Sequence, residues 1–242
     1  MSDWFSSWFD SPYYHLLYQH RDEQEAERFI KALTTHLKLP TGSLLADIPC
    51  GKGRHSIYLH ALGYQVTGMD LAPESIAEAQ KRSATGLHFE VGDMRSIRFK
   101  ESFDAVLNLF TSFGYFDSEE ENKNSLGQLV QAIKPGGFFV MDFMNVRRVL
   151  ASLVPKEEKE LSGVHFSITR MVENGVLVKR IQIQDQDKTF HFQERVKVLF
   201  DHELEQYLRD FGCTVQACFG SYTLEAYDKD LSPRCIFIAR KS

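Results

Sequence analysis

The chain has 242 residues, 43% hydrophobic and 25% charged, with a formal net charge of -5. Such values fit one elaborated globular core and exclude a disordered chain, while the acidic balance argues against nonspecific binding to nucleic acid or to an anionic membrane. A small molecule is the expected partner.

The N-terminal MSDWFSSWFD has neither the basic region nor the continuous apolar run of a signal peptide. The most apolar stretch, FFVMDFMNV at 138–146, is too short to span a bilayer and carries Asp142, so a cytoplasmic location is expected. Cys50, Cys213, Cys218 and Cys235 show no CxxC or zinc-ligand spacing, and they are expected as reduced thiols with no metal site.

Residues 11–38 place Leu16, Leu17, Phe29, Ile30 and Leu33 at amphipathic helical spacing, with a polar break near Gln19 to Asp22. Residues 1–40 therefore read as an N-terminal helical lid. SLLADI is a buried strand ending at Asp47; the turn ADIPCGKGRHS follows, then a helix RHSIYLHAL stopped by Gly63. QVTGMD is a second strand ending at Asp70, and Pro73 opens the helix PESIAEAQKR, where its missing N–H costs least. LHFEVGD is a third strand ending at Asp93, and FDAVLNLF a fourth ending near Asn108. A helix over 119–132, the turn KPGG at 134–137 and a fifth strand FFVMDFM complete the alternation. Strands alternating with helices predict a doubly wound parallel α/β sheet with its ligand crevice at the carboxyl ends of the strands.

Beyond residue 146 the pattern changes. VPKEEKELSG reads as a solvated, charged connector, and the following segment as a hairpin around Asn174-Gly175, a pair suited to a type I′ turn. Phe190, Phe192, Val196 and Val198 alternate with polar residues, as in a half-buried antiparallel strand. The segment 147–200 is thus an antiparallel β insertion into a core made of 41–146 and 201–242. In that second part DHELEQYLRDFG is a helix with Asp201 as N-cap and Gly212 as terminator, and CTVQACF and RCIFIAR are closing strands.

Glycines in CGKG let a ligand approach the backbone, and the next helix offers unpaired N–H groups to something polar or anionic. The pattern GxGxxG ends here in Ser56, and a nicotinamide enzyme could use the same turn. Asp70 can accept the two hydroxyls of a ribose. A further carboxylate, Asp93, can accept an adenine amino group beside the Met94 N–H.

These stretches resemble the class I S-adenosylmethionine-dependent methyltransferases. LLADIPCGKG is similar to their glycine motif, VTGMDLAPESI to the ribose motif, FEVGDMRSI to the adenine motif, FDAVLNLF to the fourth-strand motif and IKPGGFFVMD to the turn before the fifth strand. The likeness covers residues 43–145 in order. It implies a seven-stranded Rossmann-like sheet whose last strand, RCIFIAR, is antiparallel. It also implies S-adenosyl-L-methionine as cofactor, with Gly51 and Gly53 along its methionine end, Asp70 at the ribose, and Asp93 and Met94 at the adenine. Asp47, Cys50, Arg54, Leu71, Asn108 and Leu109 complete the cofactor-binding set, although Cys50 in the turn reads better as a small space filler.

Tyr14-His-Leu-Leu-Tyr18 is similar to the Y-D-x-I-Y segment of glycine and amino-sugar N-methyltransferases, with His15 in place of Asp, which adds Tyr14 to the cofactor set. Tyr18, Phe110, Phe113 and Tyr115, with Phe116, form the expected substrate wall. The function implied is methyl transfer to a small molecule, with an amine as one acceptor. A nicotinamide-dependent oxidoreductase and a non-catalytic S-adenosylmethionine-binding module are the alternatives. No catalytic residue is singled out.

Overall fold

The computed structural model describes residues 4–19 and 23–242. Three N-terminal helices, α1 (Trp4–Phe9), α2 (Pro12–Leu17) and α3 (Glu23–Leu37), precede β1 (Leu44–Asp47). The polar break expected at 19–22 falls mostly on residues 20–22, outside the described residues. Then follow α4 (Arg54–Ala61), β2 (Gln65–Asp70), α5 (Pro73–Gln80), β3 (Leu87–Val91), β4 (Phe103–Asn108), α6 (Glu119–Gln131) and β5 (Ile133–Met144). The chain continues through α7 (Val146–Ala151), β6 (Lys156–Leu161), β7 (Val164–Glu173), β8 (Val176–Asp185) and β9 (Lys188–Lys197), and closes with α8 (Asp201–Asp210), β10 (Cys213–Phe219) and β11 (Arg234–Lys241).

The central sheet has seven strands in the order β10-β11-β5-β4-β1-β2-β3. Pairing is parallel from β5 to β3, and β11 runs antiparallel to both β5 and β10. Both faces of this sheet are covered, which explains the nearly continuous apolar runs in β1 and β4. Period-two alternation in β5 sends Phe139, Met141 and Phe143 toward Leu126 and Leu129 of α6 and Leu204 and Leu208 of α8. Val140 faces the other way, toward Phe29, Ile30 and Leu33 on the apolar stripe of α3. The carboxyl ends of β1, β2, β4 and β5 consequently share one rim.

Strands β6, β7, β8 and β9 form a separate antiparallel sheet of four strands. Asn174 (φ 50) and Gly175 (φ 73) both take positive φ in the two-residue turn between β7 and β8, as a type I′ turn requires. The stretch expected as a solvated connector, residues 154–163, instead contains β6, paired with β7 from Lys156–Thr169 to Leu161–Val164, and α7 precedes it. KEEKEL has no apolar alternation because it is an edge strand, and charge on an edge deters pairing with another chain. Other departures are small. Residues 134–137 bulge within β5, between the pairs Phe103–Ile133 and Ala105–Phe138. Phe200, not Asp201, precedes the first turn of α8, and its N–H donates to the Glu203 carboxylate at 2.8 Å.

The first two helices pack on the small sheet. Trp8 and Leu17 are buried with Phe166, Ile168, Ile181 and Ile183 of the small sheet. Around them Trp8 Nε1 donates to Glu194 Oε1 (2.9 Å), the Tyr18 hydroxyl donates to the same oxygen (2.7 Å), and Lys179 Nζ donates to the Tyr18 oxygen (2.6 Å). Helices α1 and α2 and the four-stranded sheet therefore form one packed body beside the rim. No helix among the described residues is long and apolar enough to cross a membrane.

Candidate active site

The turn from β1 to α4 contains two glycines with different duties. Gly53 (φ 80) is the left-handed residue before α4, and a β-carbon there would come within 2.5 Å of Phe89 Cε1. Its glycine serves packing against β3, and Gly53 does not line the cavity, contrary to the sequence expectation. Gly51 (φ 55) has nothing within 4 Å of the corresponding position and does border the cavity. Cys50 is buried, and a β-carbon added at Gly68 would come within 2.9 Å of its Sγ. Burial, with Asp47 and Asp70 nearby, holds its thiol well above the ordinary value, so it stays protonated.

Asp70 ties two turns together: Oδ2 accepts from Gly51 N–H (2.7 Å) and Oδ1 from Ala72 N–H (2.9 Å). Burial raises its carboxyl despite these bonds. Asp93 lies beyond β3 and is gripped by Arg95, whose Nη2 donates to Oδ2 at 2.7 Å and whose backbone N–H donates to Oδ1 at 2.8 Å. Burial alone would raise the Asp93 carboxyl, but the bonds and charge of Arg95 outweigh it and hold it low. Asp47 and Asn108 lie at neighbouring strand ends and are fully buried. Asp47 Oδ2 accepts from the Ser56 hydroxyl (2.7 Å), and Asn108 Nδ2 donates to the Ile48 carbonyl (2.9 Å). Asp47 Oδ1 and Asn108 Oδ1 have no hydrogen-bond partner among the described residues.

A cavity of about 340 Å³ opens above this rim. Of the residues expected in the site, Tyr14, Tyr18, Cys50, Gly51, Arg54, Asp70, Leu71, Asp93, Met94, Leu109, Phe110 and Tyr115 line it; Asp47 and Asn108 lie beneath it. Phe113 does not line it either, because its ring points into the core, 6.4 Å from Tyr207. The sequence reading missed Phe5 and Phe9 on α1, a six-residue helix too short to show periodicity. It also missed Arg95, whose guanidinium lies 4.8 Å above the Phe116 ring and 5.8 Å above that of Phe5.

The turn after β4 is strained. Phe110 (φ 63) and Thr111 (φ 59) are consecutive non-glycine residues in the left-handed region, at ~1–2 kcal/mol each. The strain aims a ring: Phe110 lies under the Arg54 guanidinium (4.1 Å) and stacks on Tyr222 (5.3 Å, 27°). The turn is anchored to Asp142 in β5, which the sequence reading had noted only as a charge within an apolar run.

A family model described as a methyltransferase domain matches residues 45–137, which run from β1 into β5 and include the whole glycine turn. dTDP-3-amino-3,4,6-trideoxy-alpha-D-glucopyranose N,N-dimethyltransferase of Streptomyces venezuelae is 30% identical over 105 residues, 43% of this chain and 44% of that enzyme. Glycine/sarcosine N-methyltransferase of Aphanothece halophytica is 30% identical over 135 residues, 54% of this chain and 49% of that enzyme. The chain spans about half the length of these curated relatives. An S-adenosylmethionine-dependent methyltransferase from Clostridium acetobutylicum ATCC 824 has the same fold, with a TM-score of 0.79 over 95% of this chain and 96% of that one at 18% identity. Residues 45–137 are thus similar to a methyltransferase domain, and the fold is the one seen in the Clostridium acetobutylicum enzyme.

The chain offers groups suited to S-adenosylmethionine: an uncrowded glycine at 51, carboxylates at the end of β2 and after β3, and, among the described residues, two buried acceptors without partners at the ends of β1 and β4. Such acceptors suit an ammonium group or a water bridging to one. Helix α1 is also tied to the rim by the residue that follows it. Asp10 Oδ1 accepts from the N–H groups of Glu74 (3.0 Å) and Ser75 (3.3 Å), in the first turn of α5. Losing such a helix-end acceptor costs ~1 kcal/mol. Asp10→Ala is expected to speed S-adenosylhomocysteine dissociation about fivefold, measured by stopped-flow fluorescence. An unchanged rate would mean that this tie does not hold α1 over the cavity.

Proposed function

We propose that this chain transfers a methyl group from S-adenosyl-L-methionine to a small-molecule amine. The observation that carries the reading is the cavity itself, which combines polar strand ends on one side with Tyr14, Tyr18, Phe110 and Tyr115 on the other. Bound S-adenosylmethionine supplies an electrophilic methyl group on a cationic sulfur. In this reading Asp70 accepts the ribose hydroxyls, while Asp93 and Met94 meet the adenine. Gly51 leaves room for the methionine end, and Asp47 and Asn108 receive its ammonium directly or through water. The aromatic wall excludes water and favours a cation by ~0.5–2 kcal/mol.

An amine must shed a proton before it attacks. His15 on α2 lines the cavity, and burial, with Lys52 nearby, lowers its pKa, so its imidazole is neutral and able to take that proton at a ring nitrogen. The curated relatives named above act, by their names, on an amino sugar and on glycine or sarcosine, which supports nitrogen as the acceptor atom.

The test has two parts: calorimetric titration with S-adenosylhomocysteine, then incubation with S-adenosylmethionine and a panel of amino sugars, glycine, sarcosine and simple alcohols. Binding followed by amine-dependent mass gain of one methylene is the expected result. Failure to bind would refute the cofactor assignment, and methylation of alcohols alone would move the acceptor from nitrogen to oxygen.

A further inference from the structure

We propose that Asp142 and Arg234 are positioning residues that hold Phe110 in the acceptor-side wall, an inference that rests on the methyltransferase reading for its consequence but not for its geometry. Asp142 is fully buried in β5, on the face of the sheet that packs against α3. Both backbone N–H groups of the strained turn end on it: Phe110 N–H donates to Asp142 Oδ2 (2.8 Å) and Thr111 N–H to the Asp142 carbonyl (2.8 Å). The same Oδ2 accepts from the Tyr222 hydroxyl (3.2 Å), and Oδ1 accepts from Arg234 Nε (2.7 Å). Arg234 also reaches the turn, donating from Nη2 to Thr111 Oγ1 at 2.9 Å.

The Asp142 carboxylate, the Asp142 main-chain carbonyl and the Arg234 guanidinium thus hold two unfavourable backbone conformations from three directions, as a strained conformation requires in order to persist. A simple tie between β5 and β11 would not need this arrangement, since the two strands are already paired in register from Phe138–Arg240 to Met144–Arg234. The outcome of the arrangement is the pose of Phe110, held between Arg54 at 4.1 Å and Tyr222 at 5.3 Å, with the His55 ring at 5.2 Å. Phe110 and Arg54 border the cavity, whereas Asp142, Arg234 and Tyr222 do not. The pair therefore acts on the site through the turn and the ring that it aims. If Phe110 swings away, the wall that aligns the acceptor with the methyl group is lost, while the ribose and adenine contacts at β2 and β3 stay in place.

The experiment uses the full chain with 4-fluorophenylalanine incorporated at Phe110 and read by fluorine NMR, alongside titration with S-adenosylhomocysteine. The parent protein is expected to give one resonance, displaced by the neighbouring rings. Asp142→Asn is expected to broaden or split it toward the position of the unconstrained amino acid, with S-adenosylhomocysteine affinity changed less than about threefold. Adding Thr111→Gly to Asp142→Asn is expected to restore the single displaced resonance, because glycine takes positive φ without steric cost. A merely structural ion pair would show no such rescue. On an amine that the panel above finds methylated, kcat is expected to fall on the order of 10- to 100-fold with the cofactor KM nearly unchanged. Where Asp142→Asn does not fold, Arg234→Lys, which keeps the charge but lacks the fork, provides the same comparison. An unperturbed Phe110 resonance in these variants, or no rescue by glycine, overturns the proposal. Absence of S-adenosylhomocysteine binding to the parent protein overturns the cofactor reading instead, and the NMR comparison still decides the clamp.

Discussion

Asp70→Ala is expected to weaken S-adenosylhomocysteine binding by about 100-fold or more in calorimetric titration. The Asp70 carboxylate has two tasks. It holds the N–H groups of Gly51 and Ala72, so it sets the shape of both the glycine turn and the turn after β2. Each oxygen keeps a further lone pair that can face the cavity, where the proposed ribose hydroxyls would donate. Hydrogen bonds to a charged acceptor contribute ~1.5–3 kcal/mol each, so losing two of them corresponds to the expected factor before any change in turn shape is counted. Asp70→Asn keeps the size and one acceptor, and it should fall between the parent and the alanine variant. Because burial raises the Asp70 carboxyl, the affinity should also fall on acidification sooner than an ordinary aspartate would allow. A change of less than about fivefold for the alanine variant would remove Asp70 from the site.

The second large effect concerns stability and has the opposite sign to the usual carboxylate. Burial pushes the Asp47 carboxyl up to about 7, with Asp70 adding to the shift and the Ser56 hydrogen bond opposing it. In the unfolded chain it sits at the ordinary 3.8. Between those values the folded protein holds a proton that the unfolded chain has lost, so raising the pH through this window favours unfolding. Above neutrality both states are ionised and the slope ends. A difference of about three pH units corresponds to at most ~4 kcal/mol, the cost of keeping a buried charge at alkaline pH. Asp47→Asn keeps an acceptor for Ser56 and removes the ionisation. It is expected to raise Tm at pH 8 by about 5 °C or more, to leave Tm at pH 4 nearly unchanged, and to flatten the profile between. The same variant should bind S-adenosylhomocysteine less tightly, since a neutral amide attracts an ammonium less. Parallel Tm profiles for parent and variant would show that Asp47 ionises normally in the fold.

These two residues also show how the sequence and the tertiary structure divide the information. Asp47, Asp70 and Asn108 were legible because each closes a short apolar run before a turn or loop, and the alternation of such runs with helices already implies a shared rim. Asn174-Gly175 was legible for a similarly local reason, since two consecutive positive φ values select that pair. By contrast, β6 was missed because KEEKEL carries charge on both faces, and only its pairing with β7 makes it a strand. Gly53 carried a signature shared by ligand turns and packing turns, and the ring of Phe89 decides between them.

The sequence by itself determined the backbone's local periods, the turn chemistry and the order of strands and helices, because these depend on neighbours a few residues away. The tertiary structure decided which side chains meet. Arg234 reaches Asp142 across 92 positions, Asp10 reaches α5 across 64 and Tyr18 reaches Glu194 across 176. Such pairings depend on which strands become neighbours and on which face each residue emerges, and the closed, aromatic side of the cavity exists only once both are fixed.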